Sequence, residues 1–171
     1  MQIEAVRGDI VEQTLDVVVN AADRRLLGGG GVDGAIHRAA GPRLLDECRR
    51  LRRDVLPDGL GLGQAVAMPG FDLPARWVVA VRGPNRLRGE RDPADLHSCA
   101  VQAVRVARGL GADTLALPLV GAGVFGWSPE ESARALVAGV RAGAGLELVR
   151  FVLASAAALE ATREALAARD A

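Results

Sequence analysis

Residues 28–37 read Gly28-Gly29-Gly30-Gly31-Val32-Asp33-Gly34-Ala35-Ile36-His37, a run of glycines that leads directly into a helical pattern. Glycine loses more backbone entropy on folding than any other residue, so a folded chain keeps such a run where something must approach the backbone closely. The first N–H groups of the helix and the positive end of its dipole would point at the same place. We therefore predict a phosphate or pyrophosphate site at this loop.

A second glycine-rich loop, Gly121-Ala122-Gly123-Val124-Phe125-Gly126, has the same setting. Each loop follows a hydrophobic strand candidate, at 15–19 and 113–119, and each precedes a helix candidate. In an open parallel sheet, ligands bind beyond the carboxyl ends of the strands. The two loops are therefore expected to meet around one ligand, and the acidic residue beside each strand favours a nucleotide diphosphate.

Strand and helix patterns alternate along the rest of the chain. Ser128, Pro129 and Glu131 form a capping-box pattern that starts one of the helices. The strand candidates are 2–6, 15–19, 64–68, 76–81, 113–119 and 146–154; the helix candidates are 32–40, 42–53, 93–109, 129–142 and 156–168. This order predicts one α/β domain over residues 1–171, with a mixed, mostly parallel sheet between two layers of helices.

The composition excludes several classes of protein. Lys+Arg and Asp+Glu both number 21, so no net field draws the chain to nucleic acid or to a membrane surface. No apolar stretch approaches the length of a membrane span, and the first residues lack a signal-peptide pattern. Cys48 and Cys99 have no metal-ligand spacing and are expected to be buried free thiols. We expect a cytoplasmic protein, and the Arg-only basic set favours a bacterial source.

The common nucleotide-binding motifs do not fit. A P-loop is absent, and the GxGxxG letters of 121–126 come late in the chain. A Rossmann dehydrogenase would need an acidic residue about 20 positions further on, and none is found there. No cluster of His, Cys or Asp has the spacing of a metal site, so we predict neither a metal nor another cofactor.

Several of these stretches resemble the macrodomain family, in its MacroD-type branch. The most specific part runs from Asn20 to Gly41, and the resemblance covers nearly the whole chain. The matching stretches, in order, are Gly8–Ile10, Val17–Ala22, Leu26–Gly41, Leu45–Cys48, Gly70–Arg76 and Gly121–Gly126. The resemblance implies a three-layer α/β/α macrodomain-like fold that binds ADP-ribose, with ADP-ribosylated proteins as partners and a monomeric state.

The resemblance also implies ligand-binding residues. Asp9, with Ile10 beside it, would accept a hydrogen bond from the adenine amino group; the alternative for Asp9 is a cap on the turn after the first strand. The backbone of Gly28, Gly29, Gly30, Gly31 and Val32 would bind the pyrophosphate and the distal ribose. Gly121, Ala122, Gly123, Val124, Phe125 and Gly126 would hold the diphosphate from the other side, with Phe125 against the distal ribose.

Catalysis is implied for Asp33, which would position or activate water against the anomeric carbon of the distal ribose with help from the ligand phosphate. Asn20 would face that ribose, since its amide can donate and accept at once; the alternative is a bond to local backbone. His37 lies one helical turn beyond Asp33, and we expect it to pack behind the loop rather than act as an acid or base.

The chain departs from the family pattern in three places. The usual Asn-Ala-Ala-Asn is Asn20-Ala21-Ala22-Asp23, so Asp23 either serves as a second carboxylate, a general base beside Asp33, or reduces turnover. In the second loop, residues 121–123 replace the usual Ser-Thr-Gly, so the two hydroxyls are lost. Residues 80–84 replace the usual His-Thr-Val-Gly-Pro. Within them, Arg82 is either structural or faces an anionic ligand.

The resemblance thus implies an ADP-ribosyl hydrolase that cleaves the ester between mono-ADP-ribose and acidic side chains, or that of O-acetyl-ADP-ribose. The alternative is a non-catalytic reader of ADP-ribose. Nucleic acid is expected only as an ADP-ribosylated substrate. The Arg24-Arg25 pair and the arginines of 49–53 could contact a polyanion, but we interpret them as solvated helix surface.

Overall fold

A computed structural model describes residues 1–168, and within them six strands form one sheet. The strands are β1 (Gln2–Arg7), β2 (Val17–Ala22), β3 (Ala65–Pro69), β4 (Trp77–Arg82), β5 (Thr114–Leu117) and β6 (Leu148–Leu153). Their order across the sheet is β1-β6-β5-β2-β4-β3. All neighbours pair in parallel except β3 and β4. The carboxyl ends of β1, β6, β5, β2 and β4 therefore lie along one edge.

The helices are α1 (Gly31–Ala40), α2 (Pro42–Asp54), α3 (Pro93–Gly109), α4 (Pro129–Ala142) and α5 (Ala156–Ala167). The capping box of α4 is formed as predicted, because the Ser128 hydroxyl accepts from the Glu131 N–H and the Glu131 carboxylate accepts from the Ser128 N–H. Short 3-10 turns at Ile10–Glu12 and Arg86–Arg88 follow β1 and β4. These turns shape the edge where the strands end.

Alternating side chains of the sheet supply two cores. Val17 and Val19 pack into a core with α3, α4 and α5, whereas Val18 faces a core with α1 and α2. Such burial on both faces explains the continuous β-branched run of β2. The three-layer α/β/α architecture is therefore confirmed, and Cys48 and Cys99 are buried free thiols, one in each core.

β3 is the antiparallel edge strand, because only the short 70–76 segment separates it from β4. β2 begins two residues later than predicted and extends through Asn20 to Ala22, so Asn20 lies inside the strand. The observed strand order also differs from the 3-2-1-4-5-6 order of a Rossmann fold, so the chain does not have the fold of a Rossmann dehydrogenase.

Asp16 joins the amino ends of β2 and β5. Its carboxylate accepts hydrogen bonds from the N–H groups of Asp113 and Thr114 and from the Thr114 hydroxyl, at 2.9–3.0 Å. These bonds, above all that from Asp113, lower the pKa of Asp16. This cluster fixes the edge of the sheet opposite to the one where the glycine loops lie. No helix among residues 1–168 has the length and apolar character to cross a membrane.

Candidate functional site

A cleft of about 820 Å³ lies at the carboxyl edge of the parallel strands. Segments that follow β1, β2, β5 and β6 line it, so it crosses the half of the sheet from β1 to β2. This volume is in the range of small-molecule sites. We call it the main cleft.

The first glycine loop contributes Gly30, Gly31 and Val32 to the main cleft, at the point where α1 begins. The first N–H groups of a helix have no partner within it, so this end of α1 offers donors and a partial positive charge. Gly28 and Gly29 do not line the cleft. A Cβ built on Gly28 would stand 3.5 Å from the ring of His37, and one built on Gly29 would stand 3.3 Å from Asp33 Oδ2.

The second glycine loop lines the opposite side of the main cleft with residues 121–125. The N–H groups of Val124 and Phe125 donate to no acceptor within residues 1–168, which leaves them available to an anion. Gly123 has φ +100°, a conformation that L side chains rarely adopt. Gly126 lies outside the cleft, where a Cβ would stand 2.9 Å from the Leu87 side chain.

Arg86 and Trp127 hold the second loop in place. The Arg86 N–H donates to the Phe125 carbonyl at 2.9 Å, and its guanidinium lies over the Trp127 ring and bonds Glu131 of α4. The Trp127 indole N–H donates to the Pro84 carbonyl at 2.9 Å. These contacts tie the loop to the segment after β4. No sequence pattern predicted these contacts, beyond the presence of an Arg and a Trp.

Asn20 and Asp33 form a buried pair under the first loop. The Asn20 side-chain amide donates to Asp33 Oδ1 at 2.8 Å, and Asn20 is 1% exposed. Its own Oδ1 is buried without a partner within residues 1–168. Such an orphan acceptor is uncommon in a folded protein. Asn20 therefore does not bond local backbone, because its bond reaches α1. Asn20 itself does not line the main cleft, and its unpartnered Oδ1 lies buried behind Asp33 and Ala21, which do.

His37 lies behind this pair, with Nε2 3.4 Å from Asp33 Oδ1. Its ring also lies next to the first glycine loop, since a Cβ built on Gly28 would meet it at ordinary contact distance. Burial raises the pKa of the Asp33 carboxyl, while the Asn20 hydrogen bond and the charge of His37 oppose that rise and the charge of Asp23 adds to it. A carboxylate with a raised pKa is a better proton acceptor, as general-base work requires.

Asp9 and Ile10 line the far end of the main cleft, beyond β1. Asp9 Oδ1 accepts from the Val11 N–H at 3.1 Å and so caps the short turn that starts at Ile10. The capping alternative is therefore correct for one carboxylate oxygen. The position of Asp9 at the cleft keeps it a candidate for ligand binding as well.

Asp23 is placed apart from the main cleft. Its Oδ1 accepts from the N–H groups of Arg25 and Leu26, and the turn that results holds the buried Leu26 at φ +60°. Asp23 lines a smaller cavity of about 450 Å³, which we call the arginine cavity. The structure thus joins Asn20 and Asp33 by a hydrogen bond, whereas Asp23 is engaged in its own turn and acts on Asp33 through its charge alone.

Arg24 and Arg25 lie in the loop after β2, beside the arginine cavity, and not on a helix as we predicted. Asp23 draws these residues into a turn, which the sequence pattern does not show. The arginines of 49–53 do lie on α2. Arg82 ends β4 and bonds Glu90 at 2.8 Å while lining the same cavity, so both interpretations of it fit.

Residues that the sequence did not single out also line the main cleft. They come from the end of β6 and the segment after it, from the start of α5 and from the segment after β5, namely Val152–Ser155, Ala158, Pro118 and Leu119. Because β6 pairs with β1 and β5, its carboxyl end must lie at this edge. The strand order, which the sequence alone did not provide, is the signal that would have located them.

Comparisons with known proteins agree with this architecture. The family model described as "Macro domain" matches residues 19–136. The Macro domain-containing protein SCO6450 of Streptomyces coelicolor is 47% identical over 160 residues, which are 93% of this chain and 95% of that protein. The Macro domain-containing protein RSc0334 of Ralstonia nicotianae is 43% identical over 166 residues, which are 96% and 94% of the two chains.

Two solved structures are similar throughout. The Oceanobacillus iheyensis macrodomain with ADP has a TM-score of 0.90 and 34% identity, over 95% of this chain and 88% of that one. The Trypanosoma brucei macrodomain in complex with ADP-ribose has a TM-score of 0.86 and 31% identity, over 96% and 68%. With relatives that match nearly its full length and a family model over more than half of it, this chain belongs to the Macro domain family.

Proposed function

We propose that the main cleft binds ADP-ribose. Asp9 would hold the adenine end, and the loops at 30–32 and 121–125 would hold the diphosphate between them. The free N–H groups of Val124 and Phe125 and the start of α1 supply donors on two sides of such a ligand. The similar macrodomains solved with ADP and with ADP-ribose support this assignment.

We further propose that the chain is an ADP-ribosyl hydrolase for esters of the distal ribose with acidic side chains. The observation that carries this proposal is the buried Asn20–Asp33 pair, with one orphan oxygen on Asn20 and a raised pKa on Asp33. Asp33 would accept a proton from a water molecule, which is the role of a general base.

In the proposed reaction, the oxygen of this water bonds to the anomeric carbon of the distal ribose. The bond from that carbon to the ester oxygen breaks, and the acidic side chain leaves as a carboxylate. The water proton passes to Asp33 or to the ligand phosphate. Asn20 orients Asp33 through its 2.8 Å bond.

The test is removal of mono-ADP-ribose from a protein modified on acidic side chains, run beside calorimetry with free ADP-ribose. We expect wild type to release the label and Asp33→Ala to lose most turnover, since a general base contributes roughly 10²–10⁴-fold. Asp46→Ala, a change of the same kind at an exposed site on α2, is the control. Full turnover by Asp33→Ala would contradict the role of Asp33.

Asp23→Asn separates the two roles proposed for Asp23. An amide oxygen can accept the same two N–H bonds, so the turn should form. We expect turnover to be retained, because the structure engages Asp23 in that turn. Loss of turnover would instead make Asp23 a second catalytic carboxylate. If wild type binds ADP-ribose and leaves the label on the protein, the chain is a reader.

A further inference from the structure

The arginine cavity continues the main cleft along the same edge of the sheet. The main cleft spans the ends of β1, β6, β5 and β2, whereas the arginine cavity lies at the ends of β2 and β4. Arg82, the last residue of β4, pairs in register with Ala22, the last residue of β2. Phe125 lines both spaces and forms the wall between them.

The charges of the arginine cavity favour an anion. Four arginines and two carboxylates line it, namely Arg24, Arg25, Arg82, Arg88, Asp23 and Glu90. The two carboxylates lie near Arg25 and Arg82, at 3.5 and 2.8 Å. Arg24 donates only to the Asp58 carbonyl, and the Arg88 guanidinium has no hydrogen bond or ion pair within residues 1–168. Arg24 and Arg88 are thus two cations without a carboxylate partner there.

The position of the cavity indicates what would reach it, and this step rests on the proposed function. With adenine at Asp9, an ADP-ribose laid along the main cleft has its distal ribose near Asp33 and Phe125. A group attached to that ribose leaves the main cleft at its β2 end. The space next to that end is the arginine cavity, on the other side of Phe125.

The surface next to the arginine cavity favours a polypeptide over a nucleic acid. Leu87 and Val124 do not line the cavity, but they adjoin its lining residues Arg88 and Phe125 in sequence and are each 75% exposed. Exposed aliphatic side chains suit the side chains of a peptide. Single-stranded nucleic acid is usually held by several aromatic platforms on which bases stack, and Phe125 is the one aromatic residue that lines the cavity among residues 1–168.

We propose that the arginine cavity is a subsite for the polypeptide that carries ADP-ribose. In it, Arg24 and Arg88 pair with acidic side chains that flank the modified residue. The site would thus prefer modified carboxylates in acidic stretches of a protein. Phe125 would separate the two parts of the substrate, with the ribose on one side and the polypeptide on the other.

The test compares two peptides that carry mono-ADP-ribose through a non-hydrolysable linkage, one flanked by Glu and one by Gln. Their dissociation constants are measured with wild type, with the double variant Arg24→Ala/Arg88→Ala, and with Arg105→Ala. Arg105 is an exposed arginine on α3 and serves as the control. Free ADP-ribose is measured with each protein, and an ADP-ribosylated oligonucleotide serves as a further probe.

We expect wild type and Arg105→Ala to prefer the Glu peptide by roughly three- to tenfold, the scale of two exposed charge pairs. The preference should shrink at high salt and vanish in the double variant, with affinity for free ADP-ribose unchanged. Binding of ADP-ribose without a Glu preference, or a preference that survives in the double variant, overturns the subsite. A larger loss for the oligonucleotide than for the peptide assigns the cavity to nucleic acid. No binding of ADP-ribose overturns the proposed function itself.

Discussion

Replacing Gly34 with Ala should displace the first glycine loop from inside the molecule. Gly34 lies in the first turns of α1 and is buried. A Cβ built on it would stand 2.4 Å from the carbonyl oxygen of Gly29 and 3.1 Å from an Arg38 nitrogen. Arg38 is a flexible side chain and can move aside. The Gly29 carbonyl is backbone, and ordinary contact begins near 3.4 Å, so the loop must shift by up to about 1 Å.

Two opposing effects set the size of the change. Ala favours a helix over Gly by about 1 kcal/mol, whereas forcing a methyl group into a packed site costs about 1–3 kcal/mol. We therefore expect a net loss of stability of up to about 2 kcal/mol, or a melting temperature lower by several degrees. We expect a larger effect on ligand binding and turnover, because a displacement of about 1 Å near a site can lower turnover about 100-fold.

The assay is calorimetry with ADP-ribose together with thermal unfolding, and the chain provides a matched control. Gly109 is the last residue of α3, and a Cβ there meets nothing within 4 Å. Gly109→Ala should keep its affinity and be at least as stable as wild type, whereas Gly34→Ala should bind at least about tenfold more weakly, a change of about 1.4 kcal/mol. If Gly34→Ala binds as tightly as Gly109→Ala, the loop does not depend on this close contact and the reasoning is refuted.

Three further predictions test the site and the scaffold. Burial raises the pKa of Asp33 in the folded chain above its ordinary value near 3.8, so its charged form opposes folding at neutral pH. Asp33→Asn should therefore raise the urea midpoint of unfolding at pH 7. The difference between the midpoints of variant and wild type should become smaller towards pH 4, and equal midpoints at pH 7 would contradict this. Ser128→Ala removes one half of the α4 capping box and should lower the free energy of unfolding by about 1 kcal/mol, again read from the urea midpoint, whereas an unchanged midpoint would mean that the cap adds no stability. Burial raises the pKa of Cys48 and Cys99 to about 12, so both thiols should react with a thiol reagent only after unfolding, and rapid labelling of the native protein would be the contrary result.

Local chemistry made much of the fold predictable. Pro93–Gly109 and Pro129–Ala142 were predicted at their observed bounds, because Pro and a capping box mark where a helix begins. β2 was harder, since a run of β-branched residues does not show where pairing stops. Asp16 takes part in the cluster with Thr114 instead of the strand, and Asn20 continues the strand because it pairs with Ala80 of β4. Long-range partners of this kind have no local signature.

In the candidate site too, features with a local sequence signal were predictable and those made by long-range contacts were not. The glycine run located the donors at the start of α1, and the i, i+4 spacing brought His37 next to Asp33. The bond from Asn20 to Asp33 joins a strand to a helix, and the turn that engages Asp23 depends on the left-handed Leu26. Neither follows from spacing along the chain. The arginine cavity was missed because its walls come from loops after different strands.

The carboxylates bonded near the two ends of β2 have pKa values that are shifted in opposite directions. At its amino end, hydrogen bonds lower the pKa of Asp16, so the stability that this carboxylate provides is present above about pH 3.8 and is lost as the pH falls through its lowered value. Near the carboxyl end of β2, Asn20 bonds Asp33 of α1, where burial raises the pKa of the carboxyl, and mild acid relieves this buried charge. As the pH falls, Asp33 should therefore be protonated, and turnover lost, before the hydrogen bonds of Asp16 are lost and the chain unfolds. Inactivation by mild acid should then be reversible.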